Sequence, residues 1–234
     1  MTKIFAPIWN DFMSLIFPRL CLACENPLPH GEPFICLDCQ LTLPQTDFHE
    51  HKKNIFTEKF VGRIPLEAGA ALFYFTKKSK TQHLIHQIKY ADKREAGMAL
   101  GRFLGQKLVQ SPHFQGIDYI LPVPLHEKKK ILRGYNQAEV FADGLSDSMN
   151  IPVEKKILIK IKKTDSQTRK SRLERLKNTE DVFHLTNPSV LEGKSILIVD
   201  DVLTSGATLE ACALAILDKV ENVKISFATI AFAK

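Results

Sequence analysis

The stretch Ile196-Leu197-Ile198-Val199-Asp200-Asp201-Val202-Leu203-Thr204-Ser205-Gly206-Ala207-Thr208 holds the densest run of chemistry-bearing residues in the chain. An unbroken apolar strand, of the kind found in the middle of a parallel sheet, ends at two acidic residues. A turn of small residues follows and opens a helix. Ligands bind at the carboxyl ends of such strands. The backbone N–H groups of the turn and the hydroxyls of Thr204, Ser205 and Thr208 are expected to converge on one point. The positive end of the helix dipole adds to them, so that point suits a phosphate. Gly206 lets the backbone come close. Asp200 and Asp201 sit one sugar's width away, suited to accept hydrogen bonds from vicinal hydroxyls and to help hold a metal that those hydroxyls coordinate. Phosphate at one end and a diol at the other describe a ribose 5-phosphate. Receiver domains of bacterial signalling proteins also open with a strand ending in Asp-Asp. They need a phosphoacceptor Asp on a later strand, and the final strand here, Val223 to Phe232, has none.

A second constellation lies near the start. Cys21-Leu22-Ala23-Cys24 and Cys36-Leu37-Asp38-Cys39 form two CxxC pairs separated by eleven residues. Two residues between thiols let both sulfurs of a pair face one ion, and two pairs supply four tetrahedral ligands. The spacing predicts a structural zinc site with no open position for water. The intervening residues, with Pro27, Pro29, Gly31 and Pro33, have no period and read as a loop. Disulfides would need an oxidising compartment, and a redox CxxC would normally come singly, near a βαβ pattern. Too few apolar residues lie here to make a core, so the metal must hold the segment folded. Cys212, in an Ala- and Leu-rich helix, reads as a small core residue. His83 and His86 read as surface or packing residues, and four cysteines make His30, His49 and His51 unnecessary as ligands.

At 234 residues, 44% hydrophobic and 25% charged, the composition is that of an ordinary globular protein, and excludes a disordered or fibrous chain. The net charge of +6 is unevenly placed. Between Lys155 and Lys177 ten Lys or Arg stand against Asp165 and Glu174, an excess of +8 that leaves −2 for the remainder. Such a stripe points to an anionic partner, or else to a solvated surface segment. Ile4, Phe5, Ile8, Trp9, Phe12, Leu15 and Ile16 recur at helical spacing, interrupted by Pro7, Asn10 and Asp11. No stretch approaches the roughly 18 apolar residues of a spanning helix, and no leader pattern is present. The expectation is a short amphipathic helix on a cytoplasmic protein with no membrane span.

The elements that must position these groups alternate. Strands are expected over residues 69–76, 118–123, 156–161, 195–199 and 223–232. Helices are expected over 79–90, 95–109, 135–150 and 207–220. Alternation argues for an α/β, doubly wound parallel sheet. The stretch 40–65 lacks a clear period and holds the domain boundary. Residues 1–45 would form an N-terminal helix with a small four-cysteine zinc module, and residues 46–234 the main domain.

The thirteen residues from Ile196 match, at every position, the signature of type I phosphoribosyltransferases for phosphoribosyl pyrophosphate (PRPP). Three further segments narrow the resemblance. Pro122-Val123-Pro124-Leu125 precedes Arg133-Gly134-Tyr135-Asn136-Gln137-Ala138. Ser166-Gln167 precedes Glu174-Arg175 and Asn178. Phe17-Pro18 precedes the first cysteine pair, and Lys89-Tyr90 ends a helix. Together these resemble the ComF family (ComFC, also called GntX-like) over nearly the whole chain. The resemblance implies a zinc-binding module on a type I phosphoribosyltransferase-like fold. It also implies a part in natural transformation, in which single-stranded DNA is handled after uptake beside a helicase-like competence partner. Asp200, Asp201, Val202, Leu203, Thr204, Ser205, Gly206, Ala207 and Thr208 would bind PRPP with Mg2+. Asp200 and Asp201 would be the catalytic pair if the reaction runs. Val123 and Pro124 would face pyrophosphate, with Arg133 and Arg175 stabilising it. Residues 167–178 would be the loop that closes over the site. Thr179-Glu180-Asp181-Val182-Phe183 departs from the family's small residues before Phe, which bears on that loop's path.

Two functions follow. One is a competence protein that binds PRPP and single-stranded DNA, with Lys162, Lys163, Arg169, Lys170 and Arg172 as DNA contacts. The stripe contains no aromatic residue for base stacking. Phe34, Phe48, Phe56 and Phe60 would serve unless they are packed inside. The alternative is an active phosphoribosyltransferase that passes ribose 5-phosphate from PRPP to an acceptor, for which no binding pocket is legible.

Overall fold

The computed structural model describes residues 18–29, 31–32, 34–90, 93–160 and 183–234, with backbone only at 127–129. The N-terminal helix expected over 4–16, His30, and the stripe residues Lys162, Lys163, Arg169, Lys170, Arg172 and Arg175 lie outside the described residues.

After the cysteine loops come helices α1 (Leu37–Thr42) and α2 (Ile55–Glu58), then strand β1 (Leu66–Phe75). Helices α3 (Lys80–Tyr90) and α4 (Arg94–Gln110) lead to β2 (Tyr119–Pro122). Helices α5 (Glu127–Arg133) and α6 (Gln137–Met149) precede the short strands β3 (Leu158–Lys160) and β4 (Phe183–Leu185). Strand β5 (Ser195–Leu203), helix α7 (Ala207–Leu217) and strand β6 (Lys224–Ala233) complete the order.

Four strands form one parallel sheet in the order β1-β6-β5-β2, while β3 and β4 pair antiparallel as a separate hairpin. Successive side chains of a strand point to opposite faces, and both faces here are buried. Leu197 and Val199 join a core with Leu104, Phe141 and Leu145. Ile196 and Ile198 join the opposite core with Phe60, Cys212 and Ile216. That explains the continuous apolar run: neither face is wet. The doubly wound α/β expectation holds. Helices α4 and α6 pack backbone to backbone, with Gly101 against the carbonyl of Phe141 and Gly144 against that of Met98, where no Cβ would fit.

Two expectations about elements are corrected. Strand β5 does not end at Val199: its ladder to β6 continues through Asp200↔Thr229, Val202↔Ala231 and Leu203↔Phe232. Its other neighbour, β2, pairs only as far as Pro122↔Val199. The last bond of that ladder runs from the Val123 N–H to the Val199 carbonyl at 2.9 Å; past Val199 one edge of β5 is released, and a pocket opens there. The stretch 40–65 is not featureless either. It holds the second half of α1, a 3-10 turn at Phe48–Glu50 and α2, whose capping box joins Asn54 and Thr57. Elements of three to six residues are too short to display a helical period.

The cysteine loops do not stand apart from the core. Cys21, Leu22, Ala23, Cys39 and Leu43 share one apolar cluster with Leu84, Ile88 and Leu100 of α3 and α4. Among the described residues no helix is long and apolar enough to cross a membrane.

Candidate functional site

At the carboxyl ends of β2 and β5 a pocket is lined by Lys89, Val123, Pro124, Leu125, Arg133, Asn136, Gln137, Ala138, Lys160, Asp200, Asp201 and Thr208. Both acidic residues line it at the released edge of β5. The Oδ1 of Asp200 accepts a hydrogen bond from the N–H of Asp201 at 2.8 Å. Burial, and then the neighbouring Asp201, push the Asp200 carboxyl up to about 7; the Asp201 N–H, Lys89 and Lys160 oppose the rise without cancelling it. Asp201 is itself paired with Lys89, Nζ to Oδ2 at 2.8 Å, and both groups are largely buried. The pocket therefore has an acidic floor of two carboxylates whose charges are only partly compensated, a setting that favours a cation or a ring of hydroxyl donors.

The opposite wall is built from α5 and α6. The side chain of Asn136 caps α6 by accepting from the Ala138 N–H at 3.1 Å, and its Nδ2 donates to the carbonyl of Val123 at 3.0 Å. The cap thus fixes the Val123-Pro124 loop against the helix start. Arg133 is aimed by two contacts: its Nη1 donates to Oε1 of buried Gln137 at 2.8 Å, and its guanidinium lies 5.4 Å from the Tyr90 ring centre.

Between Leu203 and α7 the loop turns at Gly206, whose φ is +84° and which serves as the helix N-cap with no side-chain cap bond. The first-turn N–H groups of α7 keep their donors for a ligand, apart from a 3.4 Å contact of the Ala207 N–H with Ser205 Oγ. Thr204, Ser205, Ala207 and Thr208 are exposed, Val202 is half-buried and Leu203 is buried. Thr208 lines the pocket with the two carboxylates. The loop is braced from behind. Lys59 Nζ donates to the carbonyls of Thr204 (2.7 Å) and Ala233 (3.0 Å), and Arg63 pairs with Glu210 through two nitrogens. Phe60 packs beneath Gly206, so closely that a Cβ there would lie 2.9 Å from its ring.

Sequence reasoning missed these braces. Lys59 lies 145 residues before Thr204, and no local spacing announces it. It also missed that Lys89 is the partner of Asp201, that Lys160 lines the pocket, and that Gln137 aims Arg133. Of the basic stripe's described part, Lys155 is occupied by Asp143 at 2.6 Å and Lys160 lies over the Phe183 ring. Phe48, Phe56 and Phe60 are buried in the core, so packing is their role; Phe34 is half-buried.

The four cysteines converge. All four Sγ atoms lie within 4.8 Å of one another, and Cys24 and Cys36 are 3.7 Å apart. Four sulfurs at about 2.3 Å from a central zinc would be about 3.8 Å apart, so the donor set and its spacing fit such a metal. Backbone N–H groups of Cys36 (3.3 Å) and Ala23 (3.4 Å) point at the Cys21 sulfur. Burial would raise the Cys21 thiol, yet these N–H donors, joined by the backbone N–H and thiol of Cys24, outweigh it and draw the group down to about 7. Burial, and next the surrounding thiols, push Cys39 the other way. A cation among the sulfurs would offset the burial and thiol crowding that raise Cys39. His83 is bound to Glu25 at 3.2 Å and the His86 ring lies tilted against Tyr90, so neither is a ligand here.

A parallel sheet with an acidic pair, a glycine-capped helix start and a separate hairpin defines a phosphoribosyltransferase-type domain, and the model of the phosphoribosyl transferase domain matches residues 135–234. The chain is 30% identical over 221 residues to DNA utilization protein YhgH of Escherichia coli O157:H7, covering 87% of this chain and 92% of that one. It is 32% identical over 124 residues to competence protein ComFC of Bacillus subtilis (strain 168), covering 53% of this chain and 47% of that one. A Bacillus subtilis glutamine PRPP amidotransferase superposes with a TM-score of 0.42 at 19% identity, over 61% of this chain and 30% of that structure, too loosely to carry an argument. The chain belongs to the ComF family.

Proposed function

We propose that the protein binds PRPP with Mg2+ in the pocket at the ends of β2 and β5 and handles single-stranded DNA in natural transformation, in the cytoplasm and beside a helicase-like partner. The observation that carries the first half is the pairing, in one pocket, of two carboxylates with a helix start that lacks a side-chain cap. The helix start and loop from Thr204 to Thr208 take the 5-phosphate. Asp200 and Asp201 take the ribose hydroxyls and their metal, with Lys89 displaced from Asp201. Val123, Pro124 and Arg133 face pyrophosphate, joined by Arg175. The DNA half is supported by the relatives' names, which speak of DNA utilization and competence. Lys162, Lys163, Arg169, Lys170 and Arg172 are its proposed contacts. A structural zinc on Cys21, Cys24, Cys36 and Cys39 completes the reading, in a module at residues 1–45 set on the domain at 46–234.

The test is calorimetric titration of Mg2+ and PRPP, then fluorescence anisotropy of a labelled single strand with and without that ligand. Asp201→Asn should weaken PRPP binding at least tenfold, about 1.4 kcal/mol or more. On a single strand the salt slope should be about −0.7 per phosphate contacted. Absence of heat with PRPP sinks the ligand assignment; absence of strand binding at low salt sinks the DNA role. The aimed guanidinium of Arg133 on the pyrophosphate wall favours a second reading, turnover of PRPP. Release of pyrophosphate in the presence of an acceptor, abolished by Arg133→Ala, would establish it.

A further inference from the structure

The last turn of α3 carries, beside Lys89, a ring that helps aim Arg133 and is itself open to solvent. Tyr90 is 54% exposed. The His86 ring lies 4.7 Å from it, tilted by 42°, one helical turn back and itself exposed. The guanidinium of Arg133 sits over the Tyr90 ring at 5.4 Å, while the same side chain lines the PRPP pocket. On the chain's other side, Arg94 donates to the Gly134 carbonyl at 3.2 Å and lies 5.0 Å from the Tyr135 ring.

Arg94 also lines a separate cleft of about 820 Å³, which it shares with Arg19, Lys93 and Gln87 beside the first cysteine pair. Two acids face that cleft as well: Glu25, which is bound to His83, and Glu95. Gln87 lines this cleft and Lys89 lines the pocket, so Tyr90 ends the helix that separates the two. Two neighbouring rings, tilted by 42° to each other, with guanidinium groups beside them are the parts of a single-strand binding surface: every base offers a π-face, and every phosphate a charge for Arg. The basic stripe, which contains no aromatic residue, lacks the first of these parts.

We propose that the Tyr90–His86 ring pair is a stacking site for an unpaired base of a single-stranded nucleic acid, whose backbone runs past Arg133 and Arg94. This rests on the DNA half of the proposed function and gives that half a location at the rim of the PRPP pocket. A protein partner would find some apolar surface here too, in exposed Ile131 and Leu132 of α5. The guanidinium over the ring and the arginine-lined cleft beyond favour the polyanion.

The experiment is anisotropy at low salt with the zinc-loaded full chain and two labelled strands of equal length, one of them abasic throughout. Wild type, Tyr90→Phe and Tyr90→Leu are compared. Wild type and Tyr90→Phe should bind the normal strand alike, and Tyr90→Leu about tenfold more weakly. The abasic strand should cost wild type a similar factor and cost Tyr90→Leu nothing further, because the ring and the base are two halves of one contact. A merely structural role for Tyr90 would leave the abasic penalty intact in the Leu variant, and that result overturns the proposal. Equal strand binding by wild type and Tyr90→Leu overturns it while leaving the DNA reading standing. No strand binding by wild type removes the DNA reading and this site with it. Free thymidine competing at the strand's own affinity would assign the rings to a free base and also overturn the proposal.

Discussion

Replacing Asp200 by Asn should stabilise the free protein while abolishing its binding of PRPP. The carboxyl of Asp200 is pushed from 3.8 to about 7 on folding, first by burial and second by Asp201. Between those values the folded chain holds a proton that the unfolded chain has released. Stability therefore falls as pH rises through this window and stays lowered above it. A shift of roughly 3 units at about 1.36 kcal/mol each gives a cost of about 4 kcal/mol at pH 8, falling to about 2 kcal/mol at pH 5 and vanishing below pH 4. Asn has nearly the same shape, stays neutral, and keeps an oxygen to accept the Asp201 N–H bond seen at 2.8 Å. The variant should therefore be the more stable protein by up to about 4 kcal/mol at pH 8, or about 10 °C in melting temperature for a chain of this size. Urea melts of both proteins at pH 5 and pH 8, without ligand, measure it. PRPP should stabilise only the parent. Equal stability at pH 8, or a gap that widens on acidification, refutes burial of a charge as the source. Such a cost, kept in a protein, is what a functional carboxylate looks like.

Three further outcomes follow from the geometry. The purified chain should carry one zinc, lost in Cys39→Ser, with the melting temperature lowered by about 10 °C because the cysteine loops share the core of α3 and α4; metal analysis and a thermal melt check both. Gly206→Ala forces a side chain onto a φ of +84° and into the Phe60 ring. It should cost about 1–3 kcal/mol of stability, measurable by urea melts, and should weaken PRPP in calorimetry. Lys59→Met keeps the alkyl stem beside Phe232 but removes the two bonds to the Thr204 and Ala233 carbonyls. PRPP affinity should fall about tenfold in calorimetry, with zinc content unchanged.

What could be read from the chain alone was whatever neighbouring residues encode together. The apolar run into Asp200-Asp201, the small-residue turn and the helix after it lie within thirteen consecutive positions, so their order already states a strand, a turn and a helix start. The two CxxC pairs likewise carry their geometry in their spacing, and the alternation of periods carried the α/β class. What only the tertiary structure decided were contacts between distant segments. That β5 runs on past its acidic pair depends on where β2 stops, at Pro122. That Lys89 sits on Asp201, and that Lys59 holds the Thr204 carbonyl, depends on how α3 and the segment after α2 are laid against the sheet. That Tyr90 and Arg133 meet depends on α3 and α5 ending at one rim. Local pattern records which faces a segment must bury; it does not record which remote segment covers them, and the pocket's charge balance is set by that second choice.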